Sequence, residues 1–110
     1  MRFDGINLYL MSYTGGSISS NTALVSISSL SGNSAVFDYF VSDGTNKRAG
    51  TVMTAWDSST TAYTDYSTPD IGGSTAGIYF TTTTNGTYVF LNAIVTSGSW
   101  TVKVGSRVMF

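Results

Sequence analysis

The chain has 110 residues, enough for one domain with its own core, and a formal net charge of −1 from 5 cationic and 6 anionic side chains. Cys, His and Glu are absent, which excludes a disulfide framework, a thiolate nucleophile, a Cys/His zinc site and a His-based catalytic triad. Charged residues make up 10% of the sequence against ~25% in ordinary domains, and Arg2, Lys47, Arg48, Lys103 and Arg107 form no basic run, which argues against a nucleic-acid partner.

Strong helix formers are scarce, and runs of β-branched and aromatic residues alternate with period two between Gly, Asn, Asp and Ser clusters. The first predicted strand runs from Ile6 to Tyr13 and stops at a flexible turn, Thr14-Gly15-Gly16-Ser17. The second spans Thr22 to Leu30, with Ala23, Val25 and Ile27 on one face. Ala35 to Ser42 follows, with Ala35, Phe37, Tyr39 and Val41 sharing a face. Asp43-Gly44-Thr45-Asn46 predicts a hairpin turn into Arg48 to Trp56. Asp57-Ser58-Ser59 turns the chain into Thr61 to Tyr66, which Pro69 brings to an end. Gly77 to Thr83 is joined through Asn85-Gly86, a strong hairpin signal, to Tyr88 to Thr96. The last strand is Trp100 to Phe110, with Trp100, Val102, Val104, Val108 and Phe110 on its apolar face. The threonine run from Thr81 to Thr84 is expected to be a solvent-facing strand end.

About eight strands with short turns predict an all-β fold, a jelly-roll-like antiparallel β-sandwich forming a single domain over residues 1–110. No apolar stretch approaches the ~20 residues of a membrane span, and the N-terminus has no signal-peptide pattern, so synthesis in a cytoplasm without membrane contact is expected. The apolar pattern reaches Phe110, which either plugs the domain's own core or, with Trp100, meets another subunit.

Aspartate is the only carboxylate side chain available for acid–base work. Asp57, Asp65 and Asp70 surround the Thr61 strand, but their spacing at turns and strand ends fits local backbone bonding better than a paired-carboxylate hydrolase. No catalytic motif, cofactor site or metal site is expected. The Asp43–Asn46 turn has clustered oxygens but lacks the longer acidic loop of a calcium site. Lys47 and Arg48 read as part of a solvated turn. Tyrosines and tryptophans could supply a sugar-stacking platform, but on strands they more often serve core and subunit contacts. Asp57, Tyr63, Asp65 and Tyr66, grouped at one end of neighbouring strands, are the candidate contacts for a glycan or a partner.

Three segments, F-D-Y-F-V-S-D-G-T-N-K-R-A-G-T-V-M-T-A-W-D (Phe37 to Asp57), Y-T-D-Y-S-T-P-D-I-G (Tyr63 to Gly72) and L-N-A-I-V-T-S-G-S-W-T-V-K-V (Leu91 to Val104), carry a family likeness. Together they resemble β-sandwich domains of tailed-bacteriophage virion structural proteins, of the tail-fibre and head-appendage kind. The most specific parts are Arg48 to Met53 and Thr96 to Lys103. The resemblance implies a non-enzymatic virion component that assembles with its own copies, as a homotrimer, and with other virion proteins, and that either decorates a particle or contacts a host surface glycan. Fibre proteins of this kind carry a long N-terminal shaft; its absence from this sequence favours a small, separately encoded capsid or tail component.

Overall fold

Three hairpins of the chain are closed by the same local chemistry. Asp43 Oδ1 accepts the N–H groups of Thr45 at 3.0 Å and Asn46 at 2.7 Å. Asp57 Oδ1 accepts those of Ser59 at 2.9 Å and Thr60 at 2.8 Å. Asn85 Oδ1 accepts those of Thr87 at 2.9 Å and Tyr88 at 2.8 Å. A short polar side chain thus satisfies the turn's exposed donors each time. Gly44 and Gly86 take φ values of +100° and +91° inside two of these turns, a region closed to most side chains.

The computed structural model describes residues 2–3, 6–30 and 32–109. It contains β1 (Arg2–Phe3), β2 (Ile6–Ile18), β3 (Thr22–Ser28), β4 (Ser34–Ser42), β5 (Lys47–Trp56), β6 (Thr61–Ser67), β7 (Ile78–Thr84), β8 (Tyr88–Val95) and β9 (Trp100–Met109). A six-stranded sheet has the order β1-β2-β9-β4-β5-β6, and a three-stranded sheet the order β3-β8-β7. All pairings are antiparallel. The chain is an antiparallel β-sandwich. Among the described residues no helix forms, so none is long and apolar enough to cross a membrane.

The core lies between the sheets. Phe37 and Val41 of β4, Val52 of β5 and Val102 and Val108 of β9 face Ile78 of β7 and Val89 and Leu91 of β8, all fully buried. The period-two pattern puts these residues inward on their strands, and removing their apolar surface from water is the main drive for the sheets to pack.

Some expectations need correction. The predicted turn at Thr14–Ser17 is instead a bulge within β2. Thr14 pairs with Lys103 and Ser17 with Thr101, so Gly15 and Gly16 together face the single residue Val102, and the strand continues. A second register shift, between Ala23 and Val25, leaves Leu24 as the extra residue of β3. Leu24 and Val25 are therefore both buried and Ala23 is exposed, against strict alternation. The second strand ends at Ser28, and Leu30 projects into solvent. Within the threonine run, Thr82 is buried against the other sheet. Phe110 lies outside the described residues.

Candidate functional site

β6 forms one edge of the larger sheet, between the Asp57 turn and the break at Pro69. Residues directly opposed across a ladder share a face. Tyr63 stands opposite Thr54 and Asp65 opposite Val52, and both partners are buried, so Tyr63 and Asp65 are on the inner face. Tyr66 stands opposite Thr51, on the outer face. Even so, Tyr63 is 44% exposed and Tyr66 64%, because an edge strand is covered on one side only.

The four residues singled out in the sequence do not form one constellation. Asp57 is occupied in its turn. Asp65 lies near the far end of β6, where its Oδ1 accepts the Tyr39 hydroxyl at 2.8 Å. Tyr63 and Tyr66 point to opposite faces. Trp100 is also corrected: it is 3% exposed, packed in the core with its indole N–H donated to Ser97 O at 2.8 Å, and so offers no surface to a neighbouring subunit.

A residue read as part of a solvated turn proves central. Arg48 lies opposite Val41, on the inner face, and is half-buried. Its Nη1 donates to Thr75 Oγ1 at 2.8 Å and to Thr75 O at 3.1 Å. Its Nη2 donates to Ile78 O at 3.0 Å, and its Nε to the Tyr39 hydroxyl at 3.3 Å. The hydroxyl and N–H of Thr75 are in turn donated to Asp70. This network joins β4, β5, β6 and the loop before β7. Burial, followed by the Asp65 hydrogen bond, raises the Tyr39 hydroxyl above its ordinary pKa. The signal was present in the alternation: Arg48 has the same parity as Gly50, Val52 and Thr54.

The outer face of β4, β5 and β6 mixes apolar and hydrogen-bonding groups. Asp38 pairs with Arg107 at 3.2 Å and accepts the Thr51 hydroxyl at 2.9 Å. Lys103 Nζ lies 5.9 Å from the centre of the Phe40 ring. Two shallow depressions flank β6. One, of about 440 Å³, includes Val36, Met53, Ala55, Ala62 and Tyr63 in its lining. The other, of about 420 Å³, includes Gly50, Thr51, Tyr66, Ser67 and Thr68. Such a surface can stack a flat group on tyrosine and bond it through hydroxyls.

The carboxyls of Asp43, Asp57 and Asp70 are all held below the usual range, chiefly by the Asn46 N–H, the Ser59 N–H and the Thr75 hydroxyl respectively. They are anions at neutral pH. Among the described residues no group of three or more metal-binding side chains gathers.

No family model matches the chain, and no curated protein matches it. Two solved structures align with it. One is the tailspike protein of Acinetobacter baumannii phage AM24, with TM-score 0.45 and 9% identity over 96% of this chain and 26% of that one. The other is the tailspike protein of Acinetobacter phage vB_ApiP_P1, with TM-score 0.37 and 15% identity over 94% of this chain and 22% of that one. The chain spans about a quarter of the length of either tailspike.

Proposed function

We propose that the chain is a structural module of a bacteriophage virion, capsid-decorating or tail-associated, that assembles with copies of itself. The observation that carries this reading is where the resembling segments fall. Phe37 to Asp57 covers most of β4 and all of β5, Tyr63 to Gly72 most of β6, and Leu91 to Val104 the second half of β8 and the start of β9. β9, β4, β5 and β6 are consecutive neighbours in the larger sheet. Most of the likeness therefore falls on one continuous surface, which carries the exposed Met53 and Tyr66, while its Leu91–Val95 part lies on β8 of the smaller sheet.

Mass spectrometry of gradient-purified particles tests the virion reading. The chain is expected at a stoichiometry comparable to other structural subunits. Its absence from particles, with the protein monomeric in solution, would overturn the proposal.

A second reading, contact with a host-surface glycan, is favoured by Tyr66 standing beside the hydroxyls of Thr51, Ser67 and Thr68. Glycan-array binding that disappears in Tyr66→Ala supports it, and no binding to any glycan removes it.

A further inference from the structure

The backbone of β6 is paired on one side only. Two bonds at the limits of the β5–β6 hairpin fix which groups face outward: Asp57 N donates to Thr60 O, and Thr68 N to Ala49 O. In an antiparallel ladder, bonded pairs recur at every second residue. Ala62, Thr64 and Tyr66 therefore exchange bonds with β5. The N–H and C=O groups of Thr61, Tyr63, Asp65 and Ser67 point away from the sheet.

The neighbouring edge, β7 of the smaller sheet, is partly closed by the chain's own side chains. Arg48 Nη2 donates to Ile78 O, and Thr61 Oγ1 to Thr82 O, each at 3.0 Å. Among the described residues, no side chain reaches an outward backbone group of β6 in this way. Natural sheets blunt their edges with lysine, proline, a bulge or an inward-pointing charge. From Thr61 to Ser67, β6 has no lysine, no proline and no register shift, and its one inner-face charge, Asp65, is bonded within the chain to the Tyr39 hydroxyl.

We infer that β6 pairs antiparallel with β6 of a second copy, about a twofold axis at Thr64. With that centre, Tyr63 stands opposite Asp65 of the second copy and Thr61 opposite its Ser67, so every outward N–H and C=O of the strand meets a partner. The single charge of the strand selects this register. Centring on Asp65 sets two carboxylates face to face, which is unfavourable, and centring on Tyr63 leaves Ser67 unpaired. The larger sheet then continues across the axis into the second copy. The inference rests on the reading that the chain assembles with its own copies, and adds which strand makes the contact and in which register.

Equilibrium sedimentation of the full chain over a range of concentrations, with two substitutions at the exposed Tyr63, tests it. Tyr63→Asp places a carboxylate opposite Asp65 at both symmetric positions and is expected to weaken the dimer by about tenfold. Tyr63→Lys places opposite charges there and is expected to keep or tighten it. Hydrogen exchange on the unsubstituted chain is expected to show the amides of Tyr63 and Asp65 protected at high concentration and open at low concentration. Without that concentration dependence the inference falls, even if a substitution prevents folding. A dimer indifferent to both charges, or a trimer, overturns the β6 contact and leaves self-assembly standing. A monomer at every concentration removes both.

Discussion

Arg48 and Thr75 are joined twice through a single nitrogen, Nη1, which donates to the threonine hydroxyl at 2.8 Å and to its carbonyl at 3.1 Å. Thr75 is completely buried, and the Ile78 carbonyl accepts from the same guanidinium. Arg48→Met would leave two backbone carbonyls without these donors, at a cost of about 2–4 kcal/mol. Arg48→Lys keeps the charge but lacks the planar fork, so it recovers less than half of that loss. Urea denaturation of both variants checks the ranking, and the amides of residues 70–77 should exchange faster in each.

Gly50 is required by close approach rather than by its φ. A Cβ at this position would lie 2.5 Å from the Tyr66 carbonyl oxygen and 2.6 Å from the Tyr39 hydroxyl. Gly50→Ala therefore has to displace β6 or the Tyr39–Asp65 bond, at about 1–3 kcal/mol. Because the nearest atom belongs to the backbone, removing the hydroxyl with Tyr39→Phe should relieve only part of this cost. A double-mutant cycle in the same denaturation assay measures the share.

Period-two alternation made most strands legible in the sequence, and Asp-Gly and Asn-Gly located two of the hairpins. Alternation fails where a ladder gains a residue. Ala23 and Leu24 exchange roles at a bulge, and Gly15-Gly16 reads as a turn because glycine pairs serve both purposes. For the candidate site, the sequence drew attention to Tyr63, Asp65 and Tyr66 but not to the face each occupies, which depends on the β5–β6 register. Arg48 was missed because a cation beside a turn usually faces water. Its partners, Thr75 and Ile78, come from a distant segment that the topology brings alongside.

The charged turns set the acid limit of stability. The carboxyls of Asp43, Asp57 and Asp70 have lower pKa values folded than unfolded, through the N–H and hydroxyl donors around them. Their contribution is complete above the unfolded value and is lost as pH falls through the folded one. The thermal midpoint should therefore be level from neutral pH down to about pH 5 and decline below about pH 4. Asp57→Asn should make that decline smaller. At the alkaline end the sign reverses in pH: Tyr39 is raised by burial and then by its bond to Asp65, so its contribution holds up to the ordinary tyrosine value of 10.0 and is lost above it. Tyr39→Phe should flatten the alkaline limb.

Two buried hydroxyls are expected to respond oppositely to removal. Thr82 links the sheets: its Oγ1 lies 3.2 Å from Thr54 Oγ1 and donates to Thr61 Oγ1 at 3.1 Å. Thr82→Val keeps the shape but removes the bond to Thr61 and the polar contact with Thr54, and should cost about 1–2 kcal/mol. Ser106, opposite Phe37 on β4, is as buried as Thr82, yet among the described residues its Oγ has no partner. A buried hydroxyl without a bond has lost its water and gained nothing in return, so Ser106→Ala should be neutral or stabilising by up to about 1 kcal/mol. Denaturant midpoints of the two variants should move in opposite directions or, at the least, only that of Thr82→Val should fall. A clear loss in Ser106→Ala would mean that its hydroxyl is bonded in the folded chain, to a water or to a neighbouring strand.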